Sequence, residues 1–232
     1  MAEKQGRAAA FFDVDGTLLT VQSGSLYLAY LRRNGLMDLS SQLRIYWSFL
    51  TYRLGMLNLR RLAEVSSRWL AGRLEEEVAA HCRDWYESEV SGYFCEAILS
   101  KVNEHREQGH VVALLTGGTR YLNDWIAADL GIEHILASRL EVKEGRFTGN
   151  PIGPLCYGRG KVAHAEEFAA AEGIDLGASW FYSDSIADLP MLERVGTPVA
   201  VNPDPRLRVE ARRRGWPIID GGTRVHIRQH AA

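Results

Sequence analysis

Two aspartates one residue apart, Asp13 and Asp15, follow the apolar run Ala10-Phe11-Phe12 near the start of the chain. Alternate residues at the end of a strand can bring two carboxylates to one site. There one can attack an electrophile while the other moves a proton. Asp15-Gly16 is also a common turn pair, so the two acids mean chemistry only in the right company. Thr116-Gly117-Gly118 comes after Val111 to Leu115, and a hydroxyl with backbone N–H groups at a strand-to-helix junction can cradle a phosphate. Lys161 opens a helical pattern after the glycine-rich Tyr157-Gly158-Arg159-Gly160 and can neutralise a phosphoryl oxygen. Asp184 and Asp188 share a face if the turn between them is helical. Each of these has a plainer use, as a glycine turn, a solvated lysine or helix caps. All of them fall at the ends of predicted strands, which favours one shared site over separate coincidences.

The strands that must position them are short apolar runs: Ala8 to Phe12, Val111 to Leu115, Ser179 to Tyr182 and Pro198 to Val201. Helical patterns separate the later ones, over Tyr121 to Leu130, Lys161 to Glu172 and Leu189 to Val195. Alternating strands and helices predict an α/β fold, a Rossmann-like doubly wound parallel sheet covered on both faces, with ligands at the carboxyl ends of the strands. Val21 to Tyr93 breaks the alternation and reads as a helical insertion. The expected organisation is therefore a core of residues 1–20 and 94–220, a helical domain of 21–93 and a tail of 221–232 expected to be loosely held. Leu140 to Gly149, alternating around Glu144-Gly145, predicts a small hairpin.

With 27 Lys and Arg against 29 Asp and Glu, the formal charge is −2, which offers no global attraction to nucleic acid. The widely spaced Cys82, Cys95 and Cys156 contain no C-x-x-C, which suits buried thiols in a reducing compartment. An aspartate at position 13 interrupts any signal-peptide core, and no apolar run is long enough to span a membrane, so a cytoplasmic protein is expected.

Taken in order, Asp13-Val14-Asp15-Gly16-Thr17, Thr116, Lys161 and Asp184-Ser185-Ile186-Ala187-Asp188 resemble the four motifs of the haloacid dehalogenase superfamily. The insertion after the first motif looks like a type 1 cap. Leu115-Thr116-Gly117-Gly118 and the Asp-Ser-x-x-Asp-Leu-Pro fourth motif are similar to the phosphoserine-phosphatase-like hydrolases of subfamily IB. The resemblance implies a magnesium-dependent phosphatase acting on a small-molecule phosphate ester. Asp13 would be the nucleophile, forming an aspartyl-phosphate, and Asp15 the general acid and base. Mg2+ would be held by Asp13, the Asp15 carbonyl and Asp184. Thr116, Gly117 and Lys161 would bind phosphate, with Gly118 beside them. Asp188 would orient Lys161 or a metal-bound water, and Thr17 would brace the loop. A phosphotransferase or phosphomutase would use the same nucleophile while excluding water, and a non-catalytic phosphate-binding module would not need the whole charged set.

The substrate is expected to be set by the cap, with Gln22, Ser23 and Arg68 as candidate contacts. Where phosphoserine phosphatases carry an acid that meets the substrate ammonium, this chain has Gln22, and before the second aspartate of the fourth motif it has Ala187 in place of asparagine. Both argue against phosphoserine. The aromatic segment Leu43 to Leu54 reads first as a helix burying its apolar face against neighbours. It could instead line a site for an apolar or lipid-like phosphate ester, or rest on a membrane surface. Arg44, Arg53, Arg60, Arg61 and Arg68 are candidate anion partners. The sequence leaves the oligomeric state open. Linkers at Leu18 to Gly24 and Tyr86 to Phe94 are the candidate hinges.

Overall fold

The four residues of the first strand, β1 (Ala9–Phe12), are apolar and fully buried. Such a strand fits only the interior of a sheet covered on both faces. The computed structural model describes residues 6–53, 56, 65 and 67–226. From β1 the chain passes through α1 (Ser23–Arg33), α2 (Leu39–Arg53), α3 (Glu75–Trp85) and a π-helical turn (Tyr86–Val90) to β2 (Phe94–Cys95). It continues through α4 (Glu96–Glu107), β3 (Val111–Thr119), α5 (Arg120–Leu130), β4 (His134–Lys143), β5 (Arg146–Ile152), α6 (Arg159–Glu172) and β6 (Trp180–Ser183). The last elements are α7 (Leu189–Leu192), β7 (Thr197–Val201), α8 (Pro205–Arg214), β8 (Ile218–Ile219) and β9 (Arg224–Val225).

The main sheet has the order β5-β4-β3-β1-β6-β7-β8, with all pairs parallel except the antiparallel hairpin β4–β5. Because β1 lies between β3 and β6, the chain leaves it toward opposite sides of the sheet, and the crevice at its carboxyl end is where open α/β sheets hold ligands. Phe12 points to the face covered by Ile98 and Val102 of α4 and Leu122 and Ile126 of α5. Phe11 points to the other face, with Ala165 and Ala169 of α6 and Leu207 and Ala211 of α8. The layered α/β architecture and the hairpin around Glu144-Gly145 agree with the sequence reading.

The structure corrects four local expectations. Thr116-Gly117-Gly118 does not end the second apolar run. β3 continues to Thr119 and shifts register against β4 between Thr116 and Thr119, an irregularity that glycine backbone absorbs easily. The helix expected over Leu189 to Val195 is a 3-10 turn, Ile186–Asp188, followed by the short α7 with Pro190 in its first turn. The tail is held as far as 226: β9 pairs antiparallel with β2, and the Glu96 N–H donates to the Thr223 carbonyl. Finally, α2 buries Gln42, Ile45 and Ser48 and exposes Leu39, Leu43, Tyr46, Trp47 and Leu50, the reverse of the expected burial. Among the described residues no helix is long and apolar enough to cross a membrane.

The two linkers around the α1–α3 region run side by side. The Cys95 N–H donates to the Leu18 carbonyl, the Thr20 N–H donates to the Tyr93 carbonyl, and Leu19 bridges Phe94. The π-helical turn is packed: Tyr86 and Val90 are buried, and the Tyr86 hydroxyl donates to Asp129 Oδ2 at 2.5 Å.

Behind β6, His105 of α4 is buried between His110, 2.8 Å from its Nδ1, and the Tyr182 hydroxyl, 2.8 Å from its Nε2. Burial, helped by the adjacent His110, pushes the His105 pKa down to about 4. The folded protein therefore keeps this ring neutral, whereas the unfolded chain takes a proton near the ordinary value of 6.5. The stabilisation is fully present above the unfolded value and fades as pH falls toward the folded one. Urea unfolding between about pH 7 and pH 5 should cost the wild type about 1 kcal/mol more than it costs His105→Gln. Parallel pH profiles for the two proteins would refute this role.

Candidate active site

Asp13 follows β1 directly, and its N–H extends the β1–β6 ladder by donating to the Tyr182 carbonyl at 3.0 Å. Its carboxylate meets Lys161, which α6 presents from its first turn: Nζ lies 2.8 Å from Asp13 Oδ1 and 2.6 Å from Asp188 Oδ2. Lys161 is 3% exposed, so this is a buried ammonium held between two carboxylates. The Ser183 hydroxyl donates to the same Asp188 oxygen at 2.7 Å. Gly160 allows α6 to start here, because a Cβ at that position would stand 1.7 Å from the Leu155 carbonyl oxygen.

After Asp13 the chain folds back on itself. Leu18 and Leu19 donate their N–H groups to the carbonyls of Asp13 and Val14, and Gly16 donates to Val21. Asp15 Oδ1 accepts the Ser23 N–H at 2.7 Å, so the first residue of α1 is tied to the second aspartate. Gly16 has φ +73°, and a Cβ there would fall 2.2 Å from Asp184 Oδ2. Glycine is required on both counts. Thr17 is fully buried beneath the loop, and its hydroxyl has no hydrogen-bond partner among the described residues, so what it contributes here is packing.

Asp184 follows β6 and faces the first loop, with Gln22 Nε2 at 3.4 Å from its Oδ2. The 3-10 turn after it is pinned from outside by Asp204, whose Oδ2 accepts the Ile186 N–H and whose own N–H donates to the Asp184 carbonyl. Asp188 then points inward to Lys161. Thr116 is buried at the β3 irregularity, and its Oγ1 accepts the Gly118 N–H at 3.1 Å. That leaves the hydroxyl proton available for another acceptor. The Ser138 hydroxyl donates to the Gly117 carbonyl at 3.0 Å and accepts the Cys156 N–H at 3.1 Å, fixing Gly117 from β4.

The first and fourth acidic pairs and Lys161 thus meet at the carboxyl ends of β1 and β6, with Thr116, Gly117 and Gly118 at the end of the adjacent β3. Arg68 is exposed, and its backbone lies against Gly149 of β5. Arg44 is exposed on α2 and bonds to the Ser41 hydroxyl. Arg60, Arg61 and the Arg53 side chain lie outside the described residues. Sequence reasoning passed over Ser183, Ser138 and Asp204. Ser183 adjoins Asp184 and was within reach of a motif argument. Ser138 and Asp204 act only through strand register and loop packing, which the sequence does not display.

Burial raises the Asp13 carboxyl to about 7 against the pull of Lys161. Asp184 is raised to about 8, first by burial and then by repulsion from Asp13 and Asp188. Burial also raises Asp15, against the hydrogen bonds from Ser23. For Lys161, burial works against the charge, but Asp13 and Asp188 outweigh it and hold the ammonium protonated. Four aspartates therefore share one lysine, and the excess negative charge lies on the side of Asp13 and Asp184. That donor set suits a hard divalent cation, which completes its shell with water and substrate oxygens and needs only one or two protein carboxylates. Among the described residues no three His, Cys, Asp or Glu side chains form a metal-holding group of their own.

Residues 10–193 match the family model of haloacid dehalogenase-like hydrolases. The chain is 30% identical to a histidinol-phosphatase of Neisseria meningitidis, over 91% of this chain and 97% of that protein. It is 34% identical to the phosphoserine phosphatase SerB1 of Mycobacterium tuberculosis, over 92% of this chain and 70% of that one. A crystal structure of a Bordetella pertussis protein of unknown function superposes with a TM-score of 0.86 at 32% identity, covering 93% of this chain and 99% of the other.

Removing the Lys161 charge would leave Asp13 and Asp188 buried without their shared partner. Lys161→Met should therefore cost about 3–5 kcal/mol of stability near neutral pH. The loss should shrink in mild acid, where the freed carboxyls take up protons. Urea denaturation measures both, and a loss below about 1 kcal/mol at neutral pH would show that the ion cluster does not hold these elements together.

Proposed function

The chain belongs to the haloacid dehalogenase-like hydrolases and is a phosphatase, and from that premise we propose that it hydrolyses a small-molecule phosphate monoester through an aspartyl-phosphate on Asp13. The observation that carries this reading is the Asp13 carboxylate at the end of the central strand, held by a buried lysine that Asp188 and Ser183 fix from behind. Asp13 attacks phosphorus as the bond to the leaving alcohol breaks. Asp15, whose burial favours the protonated form, gives its proton to the departing oxygen. The resulting Asp15 carboxylate takes a proton from water, which attacks the same phosphorus and releases phosphate and free Asp13.

Lys161 and the Thr116 hydroxyl, with the Gly117 N–H, hold phosphoryl oxygens while charge moves across them. Asp188 acts through Lys161, as a positioning residue. Mg2+ fits the carboxylates of Asp13 and Asp184 with the Asp15 carbonyl, and when bound it supplies charge neutralisation and Lewis acidity at the phosphoryl group.

In this reading residues 21–93 act as a cap that selects the alcohol half of the ester. At its start Gln22 brings an amide, not a carboxylate, to Asp184, so no fixed negative charge is added for a substrate ammonium. One turn along α1 from Ser23, the ring of Tyr27 packs on Trp85 at 4.8 Å and on Trp69 at 6.2 Å. Those rings pack into the core of the helical segment, with Trp85 buried, so they brace the start of α1; an apolar or lipid-like alcohol remains our proposal for the ester, resting on the missing acid at position 22. The relatives named above carry two different substrates in their names, so similarity to either does not select one.

With Mg2+ present, phosphate release from an aryl phosphate should disappear in Asp13→Asn, and chelation of the metal should stop the wild type reversibly. Asp15→Asn should slow an alkyl phosphate by about 10²–10⁴-fold and an aryl phosphate much less, because an aryl oxide leaves without a proton. Equal rates for wild type and Asp13→Asn would end the aspartyl-phosphate reading.

A further inference from the structure

The α2 helix is turned the wrong way round for a helix that packs only on its own protein. It buries Gln42 and Ser48, 7% and 6% exposed, around Ile45, while Leu43 is 58% and Trp47 66% exposed. With 3.6 residues per turn, Leu39, Leu43, Tyr46, Trp47 and Leu50 fall within one arc of roughly 100°. Met56, which follows the helix in the chain, is 67% exposed as well. Isolated exposed apolar side chains need no explanation, but a contiguous stripe of this kind marks a contact surface.

Charge identifies the partner. In a chain of formal charge −2, residues 39–63 contain Arg44, Arg53, Arg60 and Arg61 and no aspartate or glutamate. The nearest acid before them, Asp38, is engaged by the Ser40 hydroxyl and by both the N–H and the hydroxyl of Ser41. Leucine, tryptophan and tyrosine on one face with arginine as the only charge is the composition of a helix that lies in a lipid headgroup layer. A second copy of the chain is a poorer fit, because two-fold pairing of α2 would oppose two helices whose only charged residues are arginines. We propose that the exposed face of α2 docks on an anionic lipid surface, with Leu43, Trp47 and Leu50 entering the headgroup layer and Arg44 at its edge. The docking does not depend on the reaction proposed above, and binding is its readout.

The test is flotation of the full chain with vesicles of phosphatidylcholine alone and of phosphatidylcholine mixed equally with phosphatidylglycerol. Wild type should float with the mixed vesicles about tenfold more than with the neutral ones, less as salt is added. Leu43→Ser combined with Trp47→Ser should lose that binding while hydrolysing an aryl phosphate at the wild-type rate. Leu50→Gln, a milder change, should weaken it, and Arg44→Gln should weaken binding to the mixed vesicles about fivefold. Absence of wild-type flotation, or equal flotation of the double variant, would overturn the proposal. So would sedimentation as a dimer that the same double substitution dissociates, since a second copy would then cover the face.

Discussion

A lysine ammonium buried between Asp13 and Asp188 is the contact on which the rest of the arrangement depends. Its three side chains come from the end of β1, the first turn of α6 and the turn after β6, elements far apart in sequence. Each charge would be costly alone in a desolvated place, and each is tolerated because the other two are there. The surrounding details serve that geometry. The Ser183 hydroxyl occupies one of the Asp188 lone pairs, Gly160 lets α6 approach the preceding turn, and Gly16 leaves room for Asp184. Burial, in a cluster that is also short of positive charge, raises the Asp13 and Asp184 carboxyls. In the proposed reaction that same imbalance is what a bound cation would offset.

In the proposed reaction the core and the helical segment would divide recognition between them. Thr116, Gly117 and Lys161 offer donors suited to a tetrahedral anion and indifferent to the alcohol attached to it. In the proposed reaction discrimination falls to side chains outside that set, and Gln22 and Ser23 are bonded to two of the aspartates, Asp184 and Asp15. An amide at position 22 can donate and accept, and it repels neither charge.

The central strands were legible because they are short, continuous apolar runs ending in polar residues, and Phe11 and Phe12 could hardly lie anywhere but inside. The acidic and lysine positions were legible because their order is distinctive, although each alone reads as a cap or a turn. The path of Thr116 to Thr119 was not, since a register shift is a property of two strands and β4 had to be in place before it existed. Pairing of Arg224 with Cys95 was hidden for a similar reason, because a two-residue strand has almost no pattern of its own. The α2 helix was misread because its periodicity is real while its orientation is reversed. Amphipathic spacing identifies an apolar face and does not say which way that face is turned.

The paired linkers set a mechanical limit. Two chain crossings are bonded to each other at Leu18–Cys95 and Thr20–Tyr93, like two leaves on one pin, so sliding one crossing past the other would break that ladder. The strand at Arg224–Val225, clasping the second leaf, anchors that pin to the far end of the chain. Ser23 stands one short step beyond the pin and its N–H is bonded to Asp15, so a displacement of the start of α1 would act directly on that carboxylate.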